Sequence, residues 1–270
     1  MEKPYPPLKE LPDALALLDE RFNLKPDNLP VLFLDFDGTL APIENDPEKA
    51  SLPAEVKDTL VKIKQAGLHV AVVSGRDRAD VARKVGLPDL YYAGSHGFDI
   101  SGPGGFHDHL DAAVEMLPEL DEAEASLKKQ LSGVKGALVE RKRFAIAIHY
   151  RNVADTEVDK VREAVEAEKQ QHSRLKMLGG KKIYELKPDV KWDKGQAVLW
   201  LLKRFEVDKE STPVFYLGDD LTDEDAFRVL GGKGLGIIVG PDGRETEADY
   251  ALEDIPAVHL WLKKLLEKLP

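Results

Sequence analysis

Residues 31–40 read Val-Leu-Phe-Leu-Asp-Phe-Asp-Gly-Thr-Leu, an apolar strand that runs straight into two carboxylates one residue apart, a glycine and a hydroxyl. Side chains alternate along a strand, so Asp35 and Asp37 leave it pointing the same way, and Gly38 lets the chain turn there without a Cβ. Two acids at the end of a buried strand repel each other, and a hard divalent cation with oxygen ligands, such as Mg²⁺, relieves that repulsion. A turn whose aspartates merely cap backbone amides would carry the same doublet.

The rest of the chain discriminates between these readings. Residues 70–76, Val-Ala-Val-Val-Ser-Gly-Arg, form a second apolar run that ends in polar chemistry, and residues 213–225, Pro-Val-Phe-Tyr-Leu-Gly-Asp-Asp-Leu-Thr-Asp-Glu-Asp, form a third. Ligands of open α/β sheets bind beyond the carboxyl ends of the strands, so these three strand ends are expected to share one crevice. Alone, the acids from Asp219 to Asp225 would describe a solvated helix start that favours the dipole. Together with Asp35 and Asp37 they predict a metal site, because convergent hard ligands need a cation.

Strands and helices alternate from residue 31 to about 98: strands at 31–35, 69–74 and 90–93, helices at 53–66 and 77–85. This predicts a parallel sheet. The stretch Ser-Gly-Pro-Gly-Gly at 101–105 breaks the rhythm. Beyond it the chain reads as a helix at 111–132, a strand pair within 134–150 turning at Arg141 to Arg143, a helix at 155–171 and strands near 174–178 and 182–187. The first rhythm returns with a helix at 194–205, strands at 213–218, 235–239 and 249–252, and helices from 223 and 256. The expected organisation is an N-terminal extension (1–28), a core domain (29–108 and 187–270) and an inserted α+β domain (109–186). A short helix is expected around 13–22 within the extension.

With 270 residues and 43% hydrophobic content, the chain can bury a large core and build two domains. A net charge of −11 argues against nucleic acid as a partner. The absence of cysteine excludes thiol catalysis and thiolate metal sites. No apolar run approaches the length of a membrane span, so a cytoplasmic monomer is the expectation.

Four motifs carry a family resemblance: Asp35-Phe-Asp37-Gly-Thr, the strand ending Ser74-Gly-Arg76, Lys194 in Trp-Asp-Lys-Gly, and Gly218-Asp219-Asp220-Leu-Thr-Asp223-Glu-Asp. In these the chain resembles haloacid dehalogenase superfamily phosphatases. The Gly-Asp-Asp-x-Thr-Asp-Glu form, Ala-Gly-x-His-Gly at 93–97, His-Tyr-Arg at 149–151 and Glu-Leu-Lys-Pro at 185–188 point within it to the trehalose-6-phosphate phosphatase family. The resemblance implies a Rossmann-like parallel-sheet core with an inserted α+β cap domain, and Mg²⁺-dependent hydrolysis of trehalose 6-phosphate to trehalose and phosphate, a step of trehalose biosynthesis. Asp35 would be the nucleophile that forms an aspartyl-phosphate, and Asp37 the acid and base. Mg²⁺ would be held by Asp35, the backbone carbonyl of Asp37 and Asp219, with Asp220 or Asp223 as a further partner. Ser74 and Lys194 would complete the phosphate shell, although a helix N-cap and a surface lysine are the ordinary readings of those two residues. Sugar contacts are expected from Glu140, Lys142, His149, Arg151, Lys181 and Glu185 of the insert, with Arg76 and His96 from the core.

Glucosylglycerol, mannosylglycerate and sucrose phosphates are competing substrates. A phosphotransferase or mutase and a non-catalytic sugar-phosphate sensor are the rivals from other classes. For the first 28 residues two roles stay open, packing on the core or binding a trehalose-phosphate synthase.

Overall fold

The computed structural model describes residues 11–20, 24–26, 28–44, 46–180, 182–208, 211–232, 234–240 and 245–270. The first part of the chain runs α1 (Ala14–Glu20), β1 (Val31–Leu34), α2 (Ala54–Gln65), β2 (His69–Val73), α3 (Arg78–Val85), β3 (Tyr91–Gly94), β4 (Asp99–Gly102) and β5 (Phe106–His109). Then come α4 (Asp111–Val114), α5 (Leu117–Gln130), β6 (Leu138–Lys142), β7 (Ala145–His149), α6 (Val158–Gln171), β8 (Leu175–Gly180) and β9 (Ile183–Pro188). The last part is α7 (Lys194–Arg204), β10 (Val214–Gly218), α8 (Glu224–Leu230), β11 (Leu235–Val239), β12 (Tyr250–Leu252) and α9 (Ile255–Lys268). Two compact units result: the described residues up to Asp108 with those from Trp192 onward, and His109–Lys191.

The larger unit is built outward from β1, whose residues are all buried. Such a strand is covered on both faces, and its alternate side chains enter different layers. Leu32 and Leu34 pack with Val70 and Val72 of β2, Phe215 and Leu217 of β10, and the inward residues of α1, α2, α3 and α9. Val31 and Phe33 pack with Ala71, Val73, Val214 and Tyr216 on the other face, against Ala197, Val198 and Leu201 of α7 and Phe227 and Leu230 of α8. The sheet order is β12-β11-β10-β1-β2-β3-β4-β5. Strands β12 to β3 are parallel neighbours, and β4 pairs antiparallel to β3. The chain moves from β1 to β2 on one side and returns to β10 on the other, so the carboxyl end of β1 is a topological switch point, where a crevice opens.

The smaller unit is a sheet in the order β6-β7-β9-β8, with antiparallel neighbours. Ile146, Ile148 and Leu186 on one sheet face pack with Leu120 and Leu127 of α5 and Val161 and Val165 of α6.

Several local expectations are corrected. The glycine-rich break is the turn between two short strands, β4 and β5, because Gly104 and Gly105 take positive φ (71° and 78°) and turn the chain there. The helix expected at 111–132 divides into α4 and α5. Pro118 has no N–H to continue a helical ladder, so it sits in the first turn of a new helix instead. The strand pair turns at residues 143–144, with Lys142 still paired to Ala145, rather than within 141–143. α1 packs on the core: Ala14, Leu17 and Leu18 are buried, and the Trp261 indole Nε1 of α9 donates to the Ala14 carbonyl at 3.1 Å.

Candidate active site

The three expected strand ends meet at the switch point. β1 delivers Asp35, β2 delivers Ser74, and β10 runs through Gly218 into Asp219, while α7 begins with Lys194. Asp35 is 4% exposed, Lys194 3% and Asp223 0%, so Lys194 is not the surface lysine its place at a helix start would suggest. Its Nζ donates to Asp35 Oδ1 at 2.8 Å and to Asp223 Oδ1 at 2.7 Å. Asp193 caps α7 by accepting from the Gln196 N–H at 2.8 Å, which fixes the turn carrying Lys194.

Asp35, Asp219 and Asp223 each place a carboxylate oxygen within 4.8 Å of the others. Asp223 is saturated: Oδ1 accepts from Lys194 and from the Tyr216 hydroxyl at 2.6 Å, and Oδ2 from the backbone N–H groups of Asp219 and Asp220 at 3.1 and 3.0 Å. A carboxylate has about four acceptor positions, so Asp223 acts as a strut that shapes the Asp219 turn and anchors Lys194. Asp220 is exposed and turns its Oδ1 to the Leu221 N–H, closing a capping box with Asp223. Asp35 and Asp219 are the two carboxylates best placed to hold a cation.

Two glycines make these approaches feasible. At Gly38, with φ of 85°, an added Cβ would lie 2.1 Å from Asp219 Oδ2; at Gly218 it would lie 2.3 Å from Asp223 Cγ. Two buried carboxylates, Asp35 and Asp223, and the half-buried Asp219 lie around one ammonium, and the imbalance shows in their proton affinities. Burial raises the Asp35 carboxyl well above the ordinary range, with Lys194 opposing and Asp223 and Asp219 reinforcing. Burial and the neighbouring Asp223 raise Asp219 to about 7. Burial alone would lower the Lys194 ammonium, but Asp223 and Asp35 overcome it and hold it protonated. A site of hard oxygen donors with excess negative charge fits Mg²⁺.

Asp37 lies outside that cluster. Arg76 grips it bidentately, Nε to Oδ2 at 2.6 Å and Nη2 to Oδ1 at 2.7 Å, with the guanidinium 5.6 Å from the Phe36 ring centroid. Arg76, expected as a sugar contact, thus bonds Asp37, Asp80 and the Pro47 carbonyl. Ser74 is 1% exposed, and its Oγ accepts from the Arg76 N–H at 3.1 Å; it does not cap α3, whose N-cap is Asp77. His96 stands behind this loop in a left-handed turn with Ser95 (φ of 58° and 51°), its N–H bonded to the Ser74 carbonyl at 3.0 Å. Its ring lies where a Cβ on residue 75 would sit only 3.1 Å from it, so the glycine there admits the imidazole.

In the smaller unit, strand alternation puts Glu140 and Lys142 of β6, Ala145, Ala147 and His149 of β7, and Glu185 of β9 on the sheet face opposite the helices. Ala147 pairs with both Glu140 and Glu185 in register, so a small side chain lies between two carboxylates. Lys142 Nζ donates to Glu185 at 3.1 Å, and His149 Nε2 lies 2.7 Å from Glu140. Arg151 is exposed just beyond β7, and Lys181 lies outside the described residues.

A family model described as Trehalose-phosphatase matches residues 33–256, which includes Asp35, Asp37, Ser74, Lys194, Asp219 and Asp223. The chain belongs to the trehalose-phosphatase family. A trehalose-phosphate phosphatase of Mycobacterium tuberculosis is 43% identical over 266 residues, covering 97% of this chain and 67% of the relative. A trehalose 6-phosphate phosphatase of Zea mays is 37% identical over 276 residues, covering 97% and 76%. Among solved structures, a trehalose-6-phosphate phosphatase related protein superposes with a TM-score of 0.76 at 25% identity, over 88% of this chain and 97% of that one. A haloacid dehalogenase-like hydrolase from Bacteroides thetaiotaomicron shares the fold, with a TM-score of 0.65 at 15% identity over 87% and 98%. Among the described residues, no helix is long and apolar enough to cross a membrane.

Tyr216 is a site residue of this trehalose-phosphatase family chain that its sequence did not announce. It is fully buried between Phe33 and Phe227, and an aromatic in the run Val-Phe-Tyr-Leu reads as core until its hydroxyl is seen against Asp223. Its place two residues before Gly218 was the available signal.

Proposed function

We propose that this chain hydrolyses trehalose 6-phosphate to trehalose and phosphate through an aspartyl-phosphate on Asp35. The observation that carries the reading is the buried Lys194, which fixes Asp35 Oδ1 at 2.8 Å beside Asp219 at the switch point of the sheet. Held by one oxygen, Asp35 presents the carboxylate to phosphorus in a single orientation. The Asp35 oxygen forms a bond to phosphorus as the bond to the sugar oxygen breaks, and Asp37 gives that oxygen its proton. Water then attacks phosphorus, Asp37 takes the proton, and the bond to Asp35 breaks. Lys194 and the buried Ser74 flank the transferred group with an ammonium and a hydroxyl. Mg²⁺, held by Asp35 and Asp219 with the Asp37 carbonyl, would supply charge neutralisation for a dianionic phosphate.

Glu140, Lys142, His149 and Glu185 offer donors and acceptors over the shallow Ala145 and Ala147 surface, a set suited to neighbouring sugar hydroxyls. The test is phosphate release with Mg²⁺ from trehalose 6-phosphate, sucrose phosphate, glucosylglycerol phosphate and glucose 6-phosphate, with Asp35→Asn alongside. A preference for trehalose 6-phosphate of about 100-fold or more in kcat/KM supports the substrate assignment. Equal rates on all monoesters would remove it, and full activity of Asp35→Asn would remove the mechanism.

A further inference from the structure

Asp80 stands behind Asp37, on the far side of Arg76, and belongs neither to the carboxylate cluster around Lys194 nor to the sugar-facing sheet. It is the branch point of an ionic chain that starts at Asp37. Arg76 directs Nε and Nη2 to Asp37, and its remaining nitrogen, Nη1, donates to Asp80 Oδ2 at 3.0 Å and to the Pro47 carbonyl at 3.0 Å. The other oxygen of Asp80 accepts from Arg83 Nη2 at 2.5 Å, with Lys84 Nζ at 3.8 Å. Arg83 in turn bonds Glu48 at 3.0 Å, and Lys84 bonds the carbonyls of Glu48 and Ala50 at 3.0 and 3.4 Å.

A guanidinium is a rigid planar fork, so its orientation is set by groups on both sides of the plane's edge. Holding Nη1 as well restrains the direction in which the fork presents Asp37, and of the two groups that accept from Nη1, Asp80 and the Pro47 carbonyl, Asp80 is the charged one. The side chains of Arg76 and Asp80 are 14% and 23% exposed, so this pair is better screened from water than the outer Arg83 and Glu48 pair, at 64% and 68%. An ordinary acid in the first turn of a helix would favour the dipole and face solvent; this one, in the first turn of α3, faces the site through Arg76.

We propose that Asp80 is a positioning residue for the reaction, acting through Arg76 to aim the Asp37 carboxyl at the departing oxygen. This rests on the reading of Asp37 as the proton donor, and the experiment separates the two. Asp80→Ala, Asp80→Glu, Arg83→Ala and Asp37→Asn are each assayed for leaving-group release in the first turnover. The substrates are trehalose 6-phosphate, whose alkoxide leaving group needs a proton, and p-nitrophenyl phosphate, whose phenolate does not.

Asp80→Ala is expected to lower the first-turnover rate on the sugar phosphate about 10-fold, with KM and the Mg²⁺ half-saturation within about 2-fold of native and the aryl phosphate rate nearly unchanged. Asp80→Glu should recover part of the loss, and Arg83→Ala should leave the rates at native values. Equal loss on both substrates, or a lowered melting temperature with native rates, would assign Asp80 a structural role and overturn the proposal. If Asp37→Asn releases trehalose at the native rate, the reading of Asp37 fails; if it is inactive while Asp80→Ala is native, only the role of Asp80 fails.

Discussion

Replacing Lys194 by methionine removes the charge at the centre of the site. The substitution keeps most of the side-chain volume and deletes one ammonium that bonds two buried carboxylates, at 2.8 and 2.7 Å. Breaking a buried ion pair by deleting one partner costs about 3–5 kcal/mol, because the remaining charge keeps its desolvation penalty without its partner. That is a change of roughly two to four powers of ten in the unfolding equilibrium, at about 1.4 kcal/mol per decade. Asp35 is already raised by burial with Lys194 present, so its carboxyl moves further up when the ammonium is lost. An acid whose folded pKa lies above its unfolded value destabilises fully above the folded pKa and ceases to do so as protons occupy it. The deficit of the mutant is therefore largest near pH 8 and shrinks toward pH 5. All three tryptophans, Trp192, Trp200 and Trp261, lie in the larger unit, so indole fluorescence during urea unfolding in chelator reports that unit alone. A deficit below about 1 kcal/mol at pH 8, or one equal at both pH values, would refute the reasoning.

Gly38→Ala would place a Cβ 2.1 Å from Asp219 Oδ2 at a φ of 85°, so the Mg²⁺ half-saturation for activity should weaken by about tenfold or more and the fold should lose ~1–2 kcal/mol, read by metal titration and thermal melting. Because Asp219 stands at about 7 without a cation, metal binding must displace a proton there, and affinity should fall as pH drops below 7; calorimetry in buffers of different ionisation enthalpy would show proton release, and a flat affinity between pH 5.5 and 7.5 would contradict the assignment. Tyr216→Phe removes the hydroxyl 2.6 Å from Asp223 and should cost ~1.5–3 kcal/mol of stability in urea titration, with a native-like value showing that the bond contributes little. Glu185→Ala, which removes the carboxylate that Lys142 Nζ bonds at 3.1 Å, should raise KM for trehalose 6-phosphate while sparing p-nitrophenyl phosphate turnover; parallel loss on both substrates would argue against a sugar-recognition role.

The apolar runs at β1, β2, β10 and β11 and the helical spacing of α2, α7 and α9 were legible because a period of two or 3.6 is a property of neighbouring residues. The same locality made Asp35, Asp37, Ser74 and Asp219 readable as strand-end chemistry. Turn detail was harder. The β4 and β5 strands are short and edge-like, with partly buried positions alternating with exposed ones only in β5, so glycines there read as an interruption rather than a turn.

What the chain alone could not decide were the pairings across long separations. Lys194 is 159 residues from Asp35, and only the parallel order β10-β1-β2 brings α7 to that strand end and buries the lysine. Arg76 and Asp37 are 39 residues apart, and the choice between a sugar contact and a grip on Asp37 depends on β2 lying next to β1. Asp223 and Asp220 look alike in an acidic run, yet a single turn sends one inward to four donors and leaves the other at the surface. Residue type and spacing therefore determined which chemistry was available, while burial and chain closure decided which carboxylate meets which cation, since the strength of each charge depends on what surrounds it.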